Sequence, residues 1–232
     1  MLDLFLDILS TTGKKFINFV ANIGHFFIFF GSAIYWTFKP PWYLKKIFQQ
    51  ILDIGYFSLP VVGLTTFFSG MVLALQTYNG FTDFNSESTV ARIVLTSITR
   101  ELGPVLTGLM ISARVGSSIA AEIATMKVTE QIDALEVMGI NSLNYLVFPK
   151  IIAMLLYPFV ITISMFLGII GGLLAMTLTG VPSEAYIQGI QTDFDGYHVT
   201  YSYVKTLVFS FVLATVPAFH GYYMKGGALE VG

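Results

Sequence analysis

Four full charges stand in a stretch that is otherwise as apolar as a membrane helix. Residues 100 to 140 read RELGPVLTGLMISARVGSSIAAEIATMKVTEQIDALEVMGI, with Arg100, Glu101, Arg114 and Glu122 set among aliphatic and small residues. Charges so placed grip a charged ligand, relay protons or pair across helices. Arg100 and Glu101 are sequence neighbours, so on a helix they do not face each other, and neither has an acid or base three or four positions away. Their partners therefore lie on other helices, in water or on lipid headgroups. Arg114 lies about 20 Å along the helix from Arg100 and about 12 Å from Glu122, a depth that requires a polar interior or a water-filled cavity. The blander alternative has Arg100 and Glu101 snorkelling at an outer interface, and Glu122 with Lys127 at an inner one. A second titratable set, Glu184, Asp193, Asp195 and His198, shares one polar loop and would suit acid–base chemistry on a lipid. A solvated acidic loop is the competing reading.

These residues belong to a chain of 232 residues that is 55% hydrophobic and 11% charged, with a mean hydropathy of +0.74. Soluble domains carry about 25% charged residues, so the composition is that of an integral membrane protein. The absence of cysteine excludes a disulfide framework and Cys-based metal sites, and His25, His198 and His220 are too far apart for a local metal motif. A net charge of -2 gives no reason to expect nucleic acid. Asp3 and Asp7 stand where a signal peptide would be basic, so the N-terminus is expected to be mature and cytoplasmic.

A hydrocarbon core about 30 Å thick needs about 20 apolar residues per helix. Segments 54–78, 93–125, 146–180 and 203–224 meet that need and read as four spanning helices. Segment 16–38 is interrupted by Asn18, Asn22 and His25 at helical spacing, and reads as an N-terminal interfacial helix within an elbow region 14–50. Lys14, Lys15, Lys39, Lys45, Lys46, Lys127, Lys150 and Lys225 mark the cytoplasmic ends; segments 79–92 and 181–202 hold only Arg92 and face outward. The fold class is an all-α, polytopic helical bundle, a single transmembrane domain over 1–232 with its spans in 54–224. Ser112, Gly116, Ala120 and Ala124, and likewise Ser164, Gly168 and Gly172, form small-residue ridges where helices approach closely. Arg114 and Glu122 fall about 80° apart on the face opposite the first ridge. Segment 128–139 has Val128, Ile132, Leu135 and Met138 at helical spacing, Glu130, Asp133 and Glu136 elsewhere, and Gly139 as a C-terminal cap. It reads as a short cytoplasmic amphipathic helix. Its polar face is acidic where membrane-surface helices are basic, which points to a protein partner.

The stretch from Arg100 to Ile140 resembles the signature region of the MlaE (YrbE) family of ABC transporter permeases. FFSGMVLALQTY, residues 67 to 78, resembles the first spanning helix of that family, and the likeness in layout runs from about residue 14 to the end. The resemblance implies a homodimer in the cell inner membrane that moves phospholipid between membranes of the envelope. Its implied partners are two copies of a cytoplasmic ABC ATPase and a hexameric MCE-domain lipid-binding protein. Segment 128–139 would be the coupling helix, docking through Glu130, Ile132, Asp133, Leu135, Glu136, Met138 and Gly139, with Ile132, Leu135 and Met138 in a groove of the ATPase. Leu73, Phe81, Glu101 and Leu102 match the lipid-lined cavity of the family, and Arg100 and Arg114 join that lipid pathway through their charge. Family members continue past a stretch like GGALEVG with a fifth spanning helix, whereas this sequence ends at Gly232. No G-x-x-x-x-G-K-[ST] occurs, so ATP and magnesium are expected in the partner ATPase, with no catalytic residue and no cofactor in this chain. Two other classes compete. A proton-coupled secondary transporter would use Glu101 or Glu122 but calls for inverted repeats with broken helices, which are not seen; a lipid-modifying membrane enzyme would use the outer acidic loop.

Overall fold

The computed structural model describes residues 2–37, 40, 43–81, 87–224 and 226–227. Lys39, Asp83, Lys225 and Glu230 lie outside that description, as do the side chains of residues 2–10, 37 and 87. The described residues are almost wholly helical: α1 (Leu2–Thr37), α2 (Leu44–Gly80), α3 (Ser88–Val128), α4 (Gln131–Val137), α5 (Ser142–Leu178), α6 (Ser183–Asp193) and α7 (Gly196–Tyr222). Among them, α2, α3, α5, α7 and the Thr11–Trp36 part of α1 are long and apolar enough to cross a membrane. The segment read as interfacial thus has the length and composition of a fifth span. It touches the bundle mainly through buried Phe29 and Ala33, with Phe29 stacked edge-on against Phe219 at 5.6 Å. Asn18, Asn22 and His25 do form one stripe, which lines a cleft with Phe219 and Tyr223.

Backbone irregularities fall where the sequence demands them. α5 breaks at Val147 and Leu156, each two residues before a proline, Pro149 and Pro158, whose missing N–H and ring interrupt the helical ladder. α3 holds two π-turns, Ile98–Leu102 and Ser112–Gly116, the first running directly into Gly103-Pro104. α5 and α4 close on glycines with positive φ, Gly180 and Gly139. At each, the N–H of the residue that follows the glycine reaches back five residues (Ile140 to Leu135, Val181 to Met176), the hydrogen bond of a Schellman cap.

Glycine contacts hold the bundle together. α2 and α5 form the most extensive helix pair; a Cβ at Gly70 would overlap the Gly168 carbonyl, and one at Gly171 the Phe67 carbonyl. The ridge of α3 meets α7, with Gly116 against the Pro217 ring and Gly221 against the Ala120 carbonyl. Both small-residue ridges therefore pack as expected. The outer segment 181–202, expected as a loop, is largely helical. α6 lies along α3 with Gly189 against Ser88, and its buried Tyr186 projects toward Gly172.

The spans are longer than the bilayer is thick. α3 has 41 residues, about 60 Å at the helical rise of about 1.5 Å per residue, against about 30 Å of hydrocarbon. With hydrocarbon centred on α3, Glu101 lies about 10 Å to the outer side of the midplane and Arg114 about 9 Å to its inner side, both inside the layer.

These contacts make a discriminating pair of substitutions. Gly171→Val, overpacked against backbone, should cost at least about 1–3 kcal/mol, whereas Gly55→Ala, with open space around its Cβ, should leave the protein unchanged. Thermal unfolding of both purified variants in detergent measures the difference.

Candidate functional site

The charges of α3 resolve into two separate sites. In the outer one, Lys205 of α7 donates to Glu101 Oε2 at 2.7 Å and to the Arg100 carbonyl oxygen at 3.3 Å. That carbonyl is free because Pro104, four residues on, has no N–H to offer it. Arg100 Nε lies 3.6 Å from Glu101 Oε1, although sequence neighbours on an α-helix point apart. The π-turn over Ile98–Leu102 is wider than an α-turn and sets its side chains closer around the axis. Both cations also lean on the ring of Tyr201, Lys205 Nζ at 4.3 Å and the Arg100 guanidinium at 5.7 Å from its centroid. The cluster carries two positive charges and one negative, and about half of the Arg100 and Glu101 side-chain surface remains exposed. Leu102 is half-buried beside it.

One turn inward, an apolar groove of about 240 Å³ runs between α3 and α7, lined by Val105, Gly108, Leu109, Phe209, Val212 and Leu213, with Ser112 at its inner end. Gly108 keeps it open, since the nearest side-chain atoms to a Cβ there are 3.9 Å away on Phe209 and 4.0 Å away on Tyr157. An ionic cluster in the outer half of the hydrocarbon thus leads directly into an apolar slot. Leu73 and Phe81 stand on α2, Leu73 packed against the core and Phe81 exposed where that helix ends.

Arg114 belongs elsewhere. Its Nη1 donates to the Phe57 carbonyl oxygen and, at 3.0 Å, to Ser58 Oγ, both in the irregular stretch of α2. It lines a polar cleft of about 290 Å³ together with Gln50, Asp53, Phe57, Glu122 and Lys150. Arg114 therefore faces protein and a polar cavity, as its depth required. Glu122 corrects the snorkelling reading. It accepts from Lys150 Nζ rather than sitting beside Lys127, and Lys150, counted above as a cytoplasmic end charge, is 2% exposed with Gln50 Oε1 at 3.3 Å. Lys127 pairs instead with Asp133 at 2.8 Å. Sequence reasoning missed Lys150, Lys205 and Asp53. The available signal was a lone lysine in an apolar run, in FPKIIAML and in YVKTLVF.

The segment expected as one helix over 128–139 is shorter. α3 ends at Val128, Glu130 adopts a left-handed conformation with φ 59°, and α4 begins at Gln131. That turn rotates the apolar face inward, so Ile132 and Leu135 are 1% and 9% exposed and belong to the protein's own core, not to a partner's groove. Glu136 also turns homeward, accepting from Ser142 Oγ at 2.9 Å and Tyr222 Oη at 3.2 Å. Val137 and Met138 stand out, 89% and 65% exposed, with Glu130, Asp133 and Ala134 around them. In the outer segment Asp193 pairs with Arg92 at 2.9 Å and Asp195 caps α7 through the Tyr197 N–H. Both carboxylates are committed to structural contacts, which removes half of the acid–base set considered for an enzyme.

An apolar bundle with charged groups at two depths, a groove beside one of them and a short helix displayed beyond the inner end of α3 is the architecture of a membrane permease. The chain belongs to the MlaE permease family: the sequence model described as Permease MlaE matches residues 47–232. It is 45% identical over 231 residues to a probable ABC transporter permease protein of Rickettsia felis, covering 99% of this chain and 89% of that one. A probable ABC transporter permease protein of Synechocystis is 35% identical over 190 residues, 81% of this chain and 72% of its own length. The intermembrane phospholipid transport system permease protein MlaE of Haemophilus influenzae is 32% identical over 227 residues, 94% and 85% of the two chains.

The Glu122–Lys150 pair is asymmetric in burial, which sets the sign of a test. Glu122→Gln strands a buried ammonium and should cost about 3–5 kcal/mol. Lys150→Met removes the buried charge and leaves Glu122, 41% exposed, to water, so it should cost clearly less. Denaturant unfolding of the two variants in detergent would reveal the order.

Proposed function

We propose that this chain is the permease subunit of an ABC transporter that moves phospholipid between membranes of the cell envelope. The observation that carries the reading is the continuity of the Arg100, Glu101, Lys205 cluster with the apolar groove between α3 and α7. One holds a charged headgroup and the other an acyl chain, and family membership supplies the biological setting. Arg100, Glu101 and Leu102 form the outer mouth of the pathway, and Leu73 and Phe81 of α2 contribute apolar wall. The permease sits in the inner membrane as a homodimer. Its partners are two copies of a cytoplasmic ABC ATPase, which bind ATP and magnesium, and a hexameric MCE-domain protein that carries lipid outside.

Force from the ATPase enters through α4. With Ile132 and Leu135 seated in the chain's own core, the docking surface is Val137 and Met138, with Glu130 and Asp133 at its rim and Gly139 closing the helix. The buried residues and the Glu136–Tyr222 contact then tie the docked helix to α7. A rigid link of this kind is what a motor needs, because an amphipathic helix that can roll transmits nothing to the spans.

Glu101→Arg turns a cluster of two cations and one anion into three cations, and should abolish lipid transport by the reconstituted complex while assembly persists. Wild-type transport in that variant would reduce the cluster to a structural ion pair. Met138→Asp places a carboxylate in the docking surface without touching the core. It should leave the permease folded yet strip the ATPase during purification, whereas Leu135→Asp should lower the yield of folded permease itself. Retention of the ATPase by Met138→Asp would move the docking site elsewhere.

A further inference from the structure

The inner cleft is built for a ligand that the groove and the outer cluster do not explain. Its walls carry two cations, Arg114 and Lys150, and two anions, Glu122 and Asp53. Lys150 and Glu122 neutralise each other within hydrogen-bond reach. The other two do not. Asp53 is exposed to the cleft and makes no hydrogen bond or ion pair among the described residues. Arg114 anchors only Nη1, on Phe57 and Ser58, which leaves the donors of Nη2 and Nε unengaged among the described residues. The cleft therefore offers one guanidinium edge and one carboxylate.

Charge at membrane depth is expensive unless matched, and the match here must carry both signs. A bare anion on Arg114 would face Asp53 and Glu122; a bare cation on Asp53 would face Arg114 and Lys150. A zwitterion meets both. The cleft, about 290 Å³, is the space of about ten waters, enough for a phosphoethanolamine group and, lined by four charged side chains, too polar for acyl chains. Phe57, half exposed at the cleft, and Val61, exposed one turn further along α2, offer those chains an apolar wall outside it. The position agrees, because Arg114 lies in the inner half of the hydrocarbon, within about 6 Å of its inner face, when the layer is centred on α3.

We infer that the cleft between α2, α3 and α5 is a headgroup site for a zwitterionic phospholipid of the inner leaflet, with the phosphate on Arg114 and the ammonium on Asp53. This deepens the permease reading and rests on it. Asp53 then acts as the headgroup selector, and the site lies on a different face of α3 from the groove, so lipid held here is distinct from lipid at the outer mouth.

The test uses the full-length permease in nanodiscs of equimolar phosphatidylethanolamine and phosphatidylglycerol, with native mass spectrometry of the lipids it retains. The wild type should retain phosphatidylethanolamine several-fold over phosphatidylglycerol. Asp53→Asn, at an exposed side chain without partners, should fold normally and bring that ratio close to the bilayer's. Arg114→Lys, which keeps the charge but not the fork, should retain less of both lipids with the preference preserved. An unchanged ratio in Asp53→Asn overturns the inference, as does loss of the preference in Glu101→Arg instead, which would place selection at the outer cluster and leave the permease reading standing. Soluble glycerophosphoethanolamine separates the two sources of this headgroup chemistry. If it stabilises the wild type but not Asp53→Asn while the lipid ratio stays at the bilayer's, the site takes a soluble ligand and the lipid assignment falls. Retention of no phospholipid by the wild type would overturn the permease reading as well.

Discussion

A charge carried into hydrocarbon must be met from within the protein or by something the protein binds, because no water is there to meet it. That constraint organises this bundle. Lys205 crosses from α7 to Glu101 and to a carbonyl that Pro104 has left free. Lys150 crosses from α5 to Glu122 and to Gln50 of α2, and Arg114 reaches the backbone of α2 where π and 3₁₀ turns expose its carbonyls. Each contact joins two different helices, so the polar groups that would oppose insertion singly become cross-links between spans. In the cleft between α2, α3 and α5, Asp53 and one edge of Arg114 are left without a partner among the described residues.

Such cross-links reach only because the helices approach closely, and small residues set the approach. Gly70, Gly168 and Gly171 bring α2 and α5 to backbone contact; between α3 and α7, Gly221 meets the Ala120 carbonyl and Gly116 the Pro217 ring. In lipid no hydrophobic effect drives helix association, so close packing and interhelical hydrogen bonds carry it. Where α3 and α7 diverge around Gly108, the same logic leaves an apolar slot beside an ionic cluster. The two π-turns of α3 rotate its charged residues relative to its ridge, and thereby present one helix to α7 on one side and to the α2 cleft on another.

The α4 end of the bundle shows how a short element gains rigidity. α4 has seven residues, too few to hold a helix by itself. It is held by Ile132 and Leu135 in the core, by the Gly139 cap, and by Glu136 bonded to Ser142 and Tyr222. Its remaining surface, with Val137 and Met138, is exposed.

The sequence by itself determined what depends on local pattern: a membrane protein, spans at 54–78, 93–125, 146–180 and 203–224, two small-residue ridges, the cap at Gly139 and a polar environment for Arg114. Hydrophobic run length, four-residue spacing and glycine's left-handed freedom are properties of neighbouring residues, so they were legible before any packing was known. Tertiary structure decided everything that required knowing which helix faces which. It set Lys150 against Glu122 in place of Lys127, joined Lys205 to Glu101, and parted Arg114 from the outer cluster. It also turned the apolar face of α4 into the core, and gave α1 and the outer segment more helix than their polar residues suggested. The physical reason is rotational. Each π-turn changes the angle between the residues before and after it, and a left-handed residue such as Glu130 redirects a whole helix. An ideal 100° step cannot foresee either, so the partners of the charges became visible only once the helices were assembled.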